Sequence, residues 1–316
     1  MKRLMENWRK FVNEDRSIEE LNTRVQQFVD LAQDPKAAAT DYIPLLQKIA
    51  KHPEFQAIVG AGRTDAAGPP DEQFTVTPGQ LPASELHATQ AEIGLDDSLL
   101  DQLATPDWAI KKGQNPTKNA LGFAGEPIEM LCKDARCAIL TFGPINGKYR
   151  ILDGHHRWSQ VMMMNPNAQV AVDNIEPKGP LNSVENALKL MQLAIALKAD
   201  NIELLDFEGD NMMRSTEEGI NKYVRANISK GTLELLGQFL GDPELTVEGA
   251  AKYIAGNLAR LQANKGFNHL TRGGVMPQAA DSGTSQAAVN QALSSGEVNF
   301  DAPDPTDVDW KAAKYK

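Results

Sequence analysis

The sequence predicts an α+β protein: one small mixed sheet with helical extensions before and after it. Three observations carry that expectation. Between residues 74 and 177, short apolar runs bounded by Gly, Pro and Asp alternate with helical patterning, as buried strands and their connections do. On both sides of that region apolar residues recur at helical spacing instead. Between two of the apolar runs stands Asn146-Gly147, a dipeptide suited to a two-residue hairpin turn because both positions tolerate a left-handed backbone.

Residues 1–58 read as helices. In "MKRLMENWRKFVNED", Leu4, Met5, Trp8, Phe11 and Val12 share one face, opposite Lys and Arg. Glu6, Glu14 and Asp15 dilute the basic face, so a helix docking on this chain or a partner is expected rather than a membrane anchor. Ser17 and Glu20 have capping-box spacing, and Pro44 falls near the first turn of a second helix in "AAATDYIPLLQKIAKH". Residues 59–73 are a Gly/Ala/Pro linker. Its Gly-x-Gly start has no third glycine at the dinucleotide spacing and no strand before it, so it does not read as a phosphate loop.

Residues 74–177 form the predicted sheet domain. "FTVT" is strand-like, and "TQAEIGLDDSLLDQLA" has helical periodicity through Ile93, Leu99, Leu100 and Leu103. "EPIEMLC", "CAILTFG", "YRIL" and "QVAVDNI" are the remaining strand candidates. Residues 178–267 turn helical again through "PLNSVENALKLMQLAIALKA", "STEEGINKYVRANI", "TLELLGQFLG" and "TVEGAAKYIAGNLARLQA", with Ser183 and Thr246 where N-caps belong. Residues 268–316 are rich in Gly, Ser, Pro and Asp, an extended or disordered tail unless it clasps another surface.

Composition narrows the function classes. The chain has 316 residues, 41% hydrophobic and 23% charged, in the range of soluble globular proteins. Its formal net charge of -10 argues against a surface that wraps nucleic acid, because phosphate binding relies on Lys and Arg. A small basic pocket remains compatible with it. The 2 cysteines, Cys132 and Cys137, read as reduced core residues of a cytoplasmic protein. No apolar run reaches membrane-spanning length, and the start lacks a signal-peptide pattern. His52, His87 and His269 are scattered, which leaves no zinc-ligand spacing.

The chemistry concentrates in Asp153-Gly154-His155-His156-Arg157, between a strand and a helix. The first N–H groups of a helix lack intrahelical partners and carry partial positive charge. Gly154 permits close backbone approach to an anion, and Arg157 offers a planar fork of donors matching phosphate oxygens. His155 and His156 can donate to phosphate or shuttle a proton. Asp153 can bind Mg²⁺ or orient a histidine. A solvated surface turn is the competing reading. On the following helix, Trp158 and Met162, Met163 and Met164 read as core packing. Lys111, Lys112 and Lys118, with Trp108, form either a basic lip or a solvated loop.

"YRILDGHHRWSQV" resembles the signature of the ParB/sulfiredoxin superfamily: a short strand, a Gly-x-His-Arg type turn, then a helix. Its form is similar to that of the ParB-like free serine kinases and related ParB-like proteins, including phage-encoded ones. "LPASELHATQAEI" (81–93) resembles the early ParB element, and the likeness covers about residues 74–177. It implies a nucleotide-phosphate site at Gly154, His155, His156 and Arg157, with Asp153 toward Mg²⁺. It also implies a nucleoside tri- or diphosphate (ATP, ADP or CTP) and a small hydroxyl substrate. Glu92 matches the general base of the kinase-like members, with Glu85 behind it.

Departures from the family narrow the expectation. Where sulfiredoxin has its cysteine nucleophile this chain has His155, so sulfinic-acid reduction is not expected. The turn lacks the Glu and second Arg of chromosome-partitioning ParB, and the downstream helices are acidic, so neither is sequence-specific DNA binding. The expected function is therefore nucleotide binding with NTP-dependent phosphotransfer or hydrolysis, in the cytoplasm. One alternative is a non-enzymatic ParB-fold scaffold or virion protein, assembling through its helical flanks and tail. A second is a nuclease-like, nucleic-acid-processing protein, for which no carboxylate cluster beyond Asp153 stands out.

Overall fold

The computed structural model describes residues 76–105, 115–123, 125, 127–128, 138–177 and 209–264, with 184, 187, 202–203 and 278–279. The N-terminal helices, the linker, the tail apart from residues 278–279, Cys132, Cys137, His52, His269, Trp108, Lys111, Lys112 and Ser183 lie outside the described residues. The fold is α+β, as predicted, and its sheet is mixed. Two compact units are distinguished. One joins Thr77–Ile175 to Asp206–Arg272; the other takes Met1–Val76, Glu176–Leu205 and Gly273–Lys316. Within the second, the short strands Ile202–Glu203 and Gln278–Ala279 pair antiparallel.

The sheet of the first unit grows from its hairpin. β3 (Ile139–Ile145) and β4 (Lys148–Asp153) run antiparallel about Asn146 and Gly147, whose φ values of 52° and 74° are the left-handed pair such a turn requires. β5 (Gln169–Ile175) lies parallel to β3, and β2 (Leu86–His87) parallel to β4. With β1 (Val76–Pro82) outermost beside β5, the order is β1-β5-β3-β4-β2. A 3₁₀ turn at Ala83–Glu85 joins β1 to β2.

Alternate positions of these strands are buried on both faces. Ile139, Ile151, Val170 and Val172 belong to the core shared with the helices, and Leu140, Phe142, Leu152, Ala171 and Ile175 are buried as well. That is why the strands read as continuous apolar runs rather than an in–out alternation.

α1 (Leu95–Ala104), α2 (Pro116–Leu121) and α3 (His155–Met164) come from the sheet region; α4 (Glu217–Asn227), α5 (Lys230–Leu240) and α6 (Val247–Ala263) follow it. One core runs through both groups. Leu99 and Leu103 of α1, Trp158 and Met162–Met164 of α3, Ile220 of α4, and Ile254 and Leu261 of α6 are all fully buried in it. The Met-rich stretch is core, as its sequence suggested. The last carbonyls of α3, which no residue of their own helix can reach, accept from α6: Asn257 Nδ2 donates to Met163 O and Tyr253 Oη to Met164 O, each at 2.9 Å. Asn115, Thr216, Ser229 and Thr246 cap α2, α4, α5 and α6 through side-chain oxygens.

Two element boundaries differ from the sequence expectation. The first strand is described over Val76–Pro82, taking in Val76 and Thr77 of "FTVT" and running on to Pro82, while Phe74 and Thr75 lie outside the described residues. The helix expected across residues 89–104 begins only at Leu95, because the backbone ahead of it is bound elsewhere. Ile93 N donates to Asn211 Oδ1, Ile93 O accepts from Met212 N, and Leu95 N donates to Asp210 O. Of "EPIEMLC", Ile128 makes a single parallel bridge to Val170.

Candidate functional site

The site assembles where β4 runs into α3. Gly154 occupies the N-cap of α3 with φ of 99°, a left-handed conformation that side chains with a Cβ rarely adopt, and no side chain caps this helix. Arg157 folds back over the glycine. A Cβ on Gly154 would stand 2.8 Å from Arg157 Nη2, so a larger residue there would push the guanidinium aside as well as strain the backbone. Arg157 Nη2 donates to Asp153 Oδ2 at 2.8 Å and to Ala138 O at 3.4 Å. Ion pair, glycine and helix terminus thus form one rigid corner, with both charged side chains half-buried.

The two histidines differ in role. His155 is 4% exposed, and its Nε2 accepts from Thr89 N at 3.1 Å and Gln90 N at 3.3 Å. Thr89 Oγ1 meanwhile donates to Ile151 O. The ring therefore presents Nε2 as an acceptor and fastens residues 89–90 to α3. His156 is more open, at 31%, and its Nε2 lies 3.7 Å from Asp97 Oδ2. The first turns of α1 and α3 are bound at two further points: Ser159 Oγ donates to Ser98 Oγ at 2.7 Å, and Gln160 Nε2 donates to Asp97 O at 2.9 Å.

Glu92 lies in the extended segment before α1, not in the helix's first turn. Its carboxylate is 15% exposed and sits 3.8 Å from Arg214 Nη2. Glu85 is exposed at the end of the 3₁₀ turn, where its carbonyl meets His87 Nδ1 at 3.1 Å. Lys118 is exposed on α2. The structure brings Asp153, Gly154 and Arg157 together and sets His156 beside Asp97, a residue the sequence reasoning passed over. The available signal was the acidic pair Asp96-Asp97 within the helix predicted across residues 89–104. No group of three His, Cys, Asp or Glu capable of holding a metal occurs among the described residues.

The surrounding electrostatics are acidic. Burial, then the charge of Asp97, pushes Asp101 above the ordinary carboxylate value. Tyr223 of α4 donates its hydroxyl to Asp96; burial and that bond raise the phenol. His87 is held below its ordinary value chiefly by burial, with Arg150 and Lys148 adding to the effect and the Glu85 carbonyl opposing it.

Compared with protein-family models, curated proteins and solved structures, the chain has no significant match.

Proposed function

We propose that this protein binds a nucleotide through its phosphates at the 153–157 turn and carries out NTP-dependent phosphotransfer or hydrolysis there. The observation that carries the proposal is the corner itself. A guanidinium, held by Asp153 at 2.8 Å, is fixed over a left-handed glycine at the uncapped start of a ten-residue helix. Such an arrangement presents cation, glycine backbone and helix terminus to one anion, and each favours phosphate for a different reason. The likeness of "YRILDGHHRWSQV" to ParB/sulfiredoxin-type proteins supports the same reading.

Within it, His155 fastens residues 89–90 to α3 and His156 stands beside Asp97. Mg²⁺ would enter with the nucleotide, coordinated mainly by phosphate oxygens and water, with Asp153 at its edge. Membrane association has no support from the helices: among the described residues none is long and apolar enough to cross a bilayer.

The test is calorimetric titration of the full-length protein with ATP, ADP, CTP and GTP, each with Mg²⁺. One of the four should bind at micromolar strength. Arg157→Ala should weaken that binding at least tenfold, about 1.4 kcal/mol, and Arg157→Lys should restore only part of it because it lacks the fork. Binding equally strong in Arg157→Ala would place the phosphates elsewhere.

A further inference from the structure

We infer that Asp97 and His156 form the proton-handling pair of this site, which rests on the 153–157 turn being the phosphate site. Each of the other candidate groups has a defined alternative engagement. His155 Nε2 accepts from two backbone N–H groups, Asp153 pairs with Arg157, Glu92 lies against Arg214, and Asp96 accepts the Tyr223 hydroxyl. Asp97 is 67% exposed and its carboxylate faces the imidazole of His156, the second residue of α3. His156 follows Gly154 by two residues and precedes Arg157 by one, in the same first turn of α3.

The relative placement of the pair is built into the fold. Asp97 O is held by Gln160 Nε2 and its neighbour Ser98 by Ser159, so two consecutive residues of α1 are tied to a single turn of α3. The charged groups on the neighbouring elements are Asp96 and Asp101 on α1, Asp153 at the end of β4 and Arg157 in the first turn of α3. A carboxylate beside an imidazole favours its protonated form.

In the step this supports, a water oxygen attacks the terminal phosphorus of the bound triphosphate. Its O–H bond breaks as the new P–O bond forms, and the proton passes to His156, whose imidazolium Asp97 stabilises. The bond from phosphorus to the bridging oxygen breaks, and its electron pair leaves with the nucleoside diphosphate. The proton then returns to that leaving group or to solvent.

The experiment measures phosphate release by full-length protein, with Mg²⁺ and the nucleotide that binds in the titration, across acid and alkaline pH. Asp97→Asn, Asp97→Glu and His156→Gln are compared alongside, with nucleotide affinity measured on every variant. Asp97→Asn and His156→Gln should slow release about a hundredfold, far more than either changes nucleotide affinity. Asp97→Asn should also displace the acidic limb of the pH profile, and Asp97→Glu should recover part of the rate. A purely structural Asp97 would not move that limb. Release by Asp97→Asn at the parent rate and with the parent profile overturns the inference, as does a parent protein that binds nucleotide but releases no phosphate. A parent that binds no nucleotide removes the phosphate site itself and the pair's role with it.

Discussion

Adjacent residues on an α-helix point about 100° apart, so His155 and His156 cannot share a duty. His155 turns inward, where its Nε2 takes the N–H groups of Thr89 and Gln90; His156 turns toward Asp97 and solvent. His155→Ala should therefore destabilise the protein, by about 1–3 kcal/mol for each buried donor left without an acceptor. His156→Ala should leave the urea midpoint close to the parent's. Equal midpoints for the two variants would contradict the assignment of His155 as the fastener. The sequence places two titratable rings side by side directly after Gly154. Which of them faces inward was not legible, because the deciding acceptor geometry comes from residues 89–90, more than sixty positions earlier in the chain.

At the level of elements, helix propensity and packing disagree in a way that can be measured. Glycine in a helix interior costs roughly 0.5–1 kcal/mol relative to alanine. On that count alone, Gly237→Ala in α5 and Gly256→Ala in α6 should both stabilise. A Cβ at Gly256 meets nothing within 4 Å, whereas one at Gly237 would stand 2.7 Å from the backbone oxygen of Asp242. A backbone atom cannot swing aside as a side chain does. Gly256→Ala should raise the thermal midpoint and Gly237→Ala should lower it, as differential scanning calorimetry of the two variants would show. The start of α1 reflects the same competition. Its periodicity extends back to residue 89, but Asn211, Asp210 and Met212 bind the backbone of residues 93 and 95 first, and the helix starts where those bonds end.

For the molecule as a whole, the acidic balance of -10 has a local expression in α1, where Asp96, Asp97 and Asp101 lie close together. Asp101 is raised above its ordinary value of 3.8 by burial and then by Asp97, so folding favours its protonated form. Its contribution to stability is thus full below the unfolded value and is lost as pH rises through the folded one. Asp101→Asn should make the protein more stable at neutral pH, and the gain should vanish once pH falls below about 3.8. Urea denaturation of parent and variant at both pH values checks the sign. A gain that persisted in acid would point to packing instead of charge.

The sequence by itself determined the α+β class, the hairpin at Asn146-Gly147, most of β3, β4 and β5, the apolar burial of α3, and the strand-to-helix turn at 153–157. These features depend on local patterning, turn conformation and the period of apolar residues, all of which act over a few positions. Only the tertiary structure decided that α6 completes the end of α3, that the segment before α1 is held by residues 210–212, and that Asp97 rather than Glu92 meets His156. Each of these joins residues far apart in the chain. A buried backbone group takes whichever partner the packed core brings within reach, and no local pattern states which one that will be.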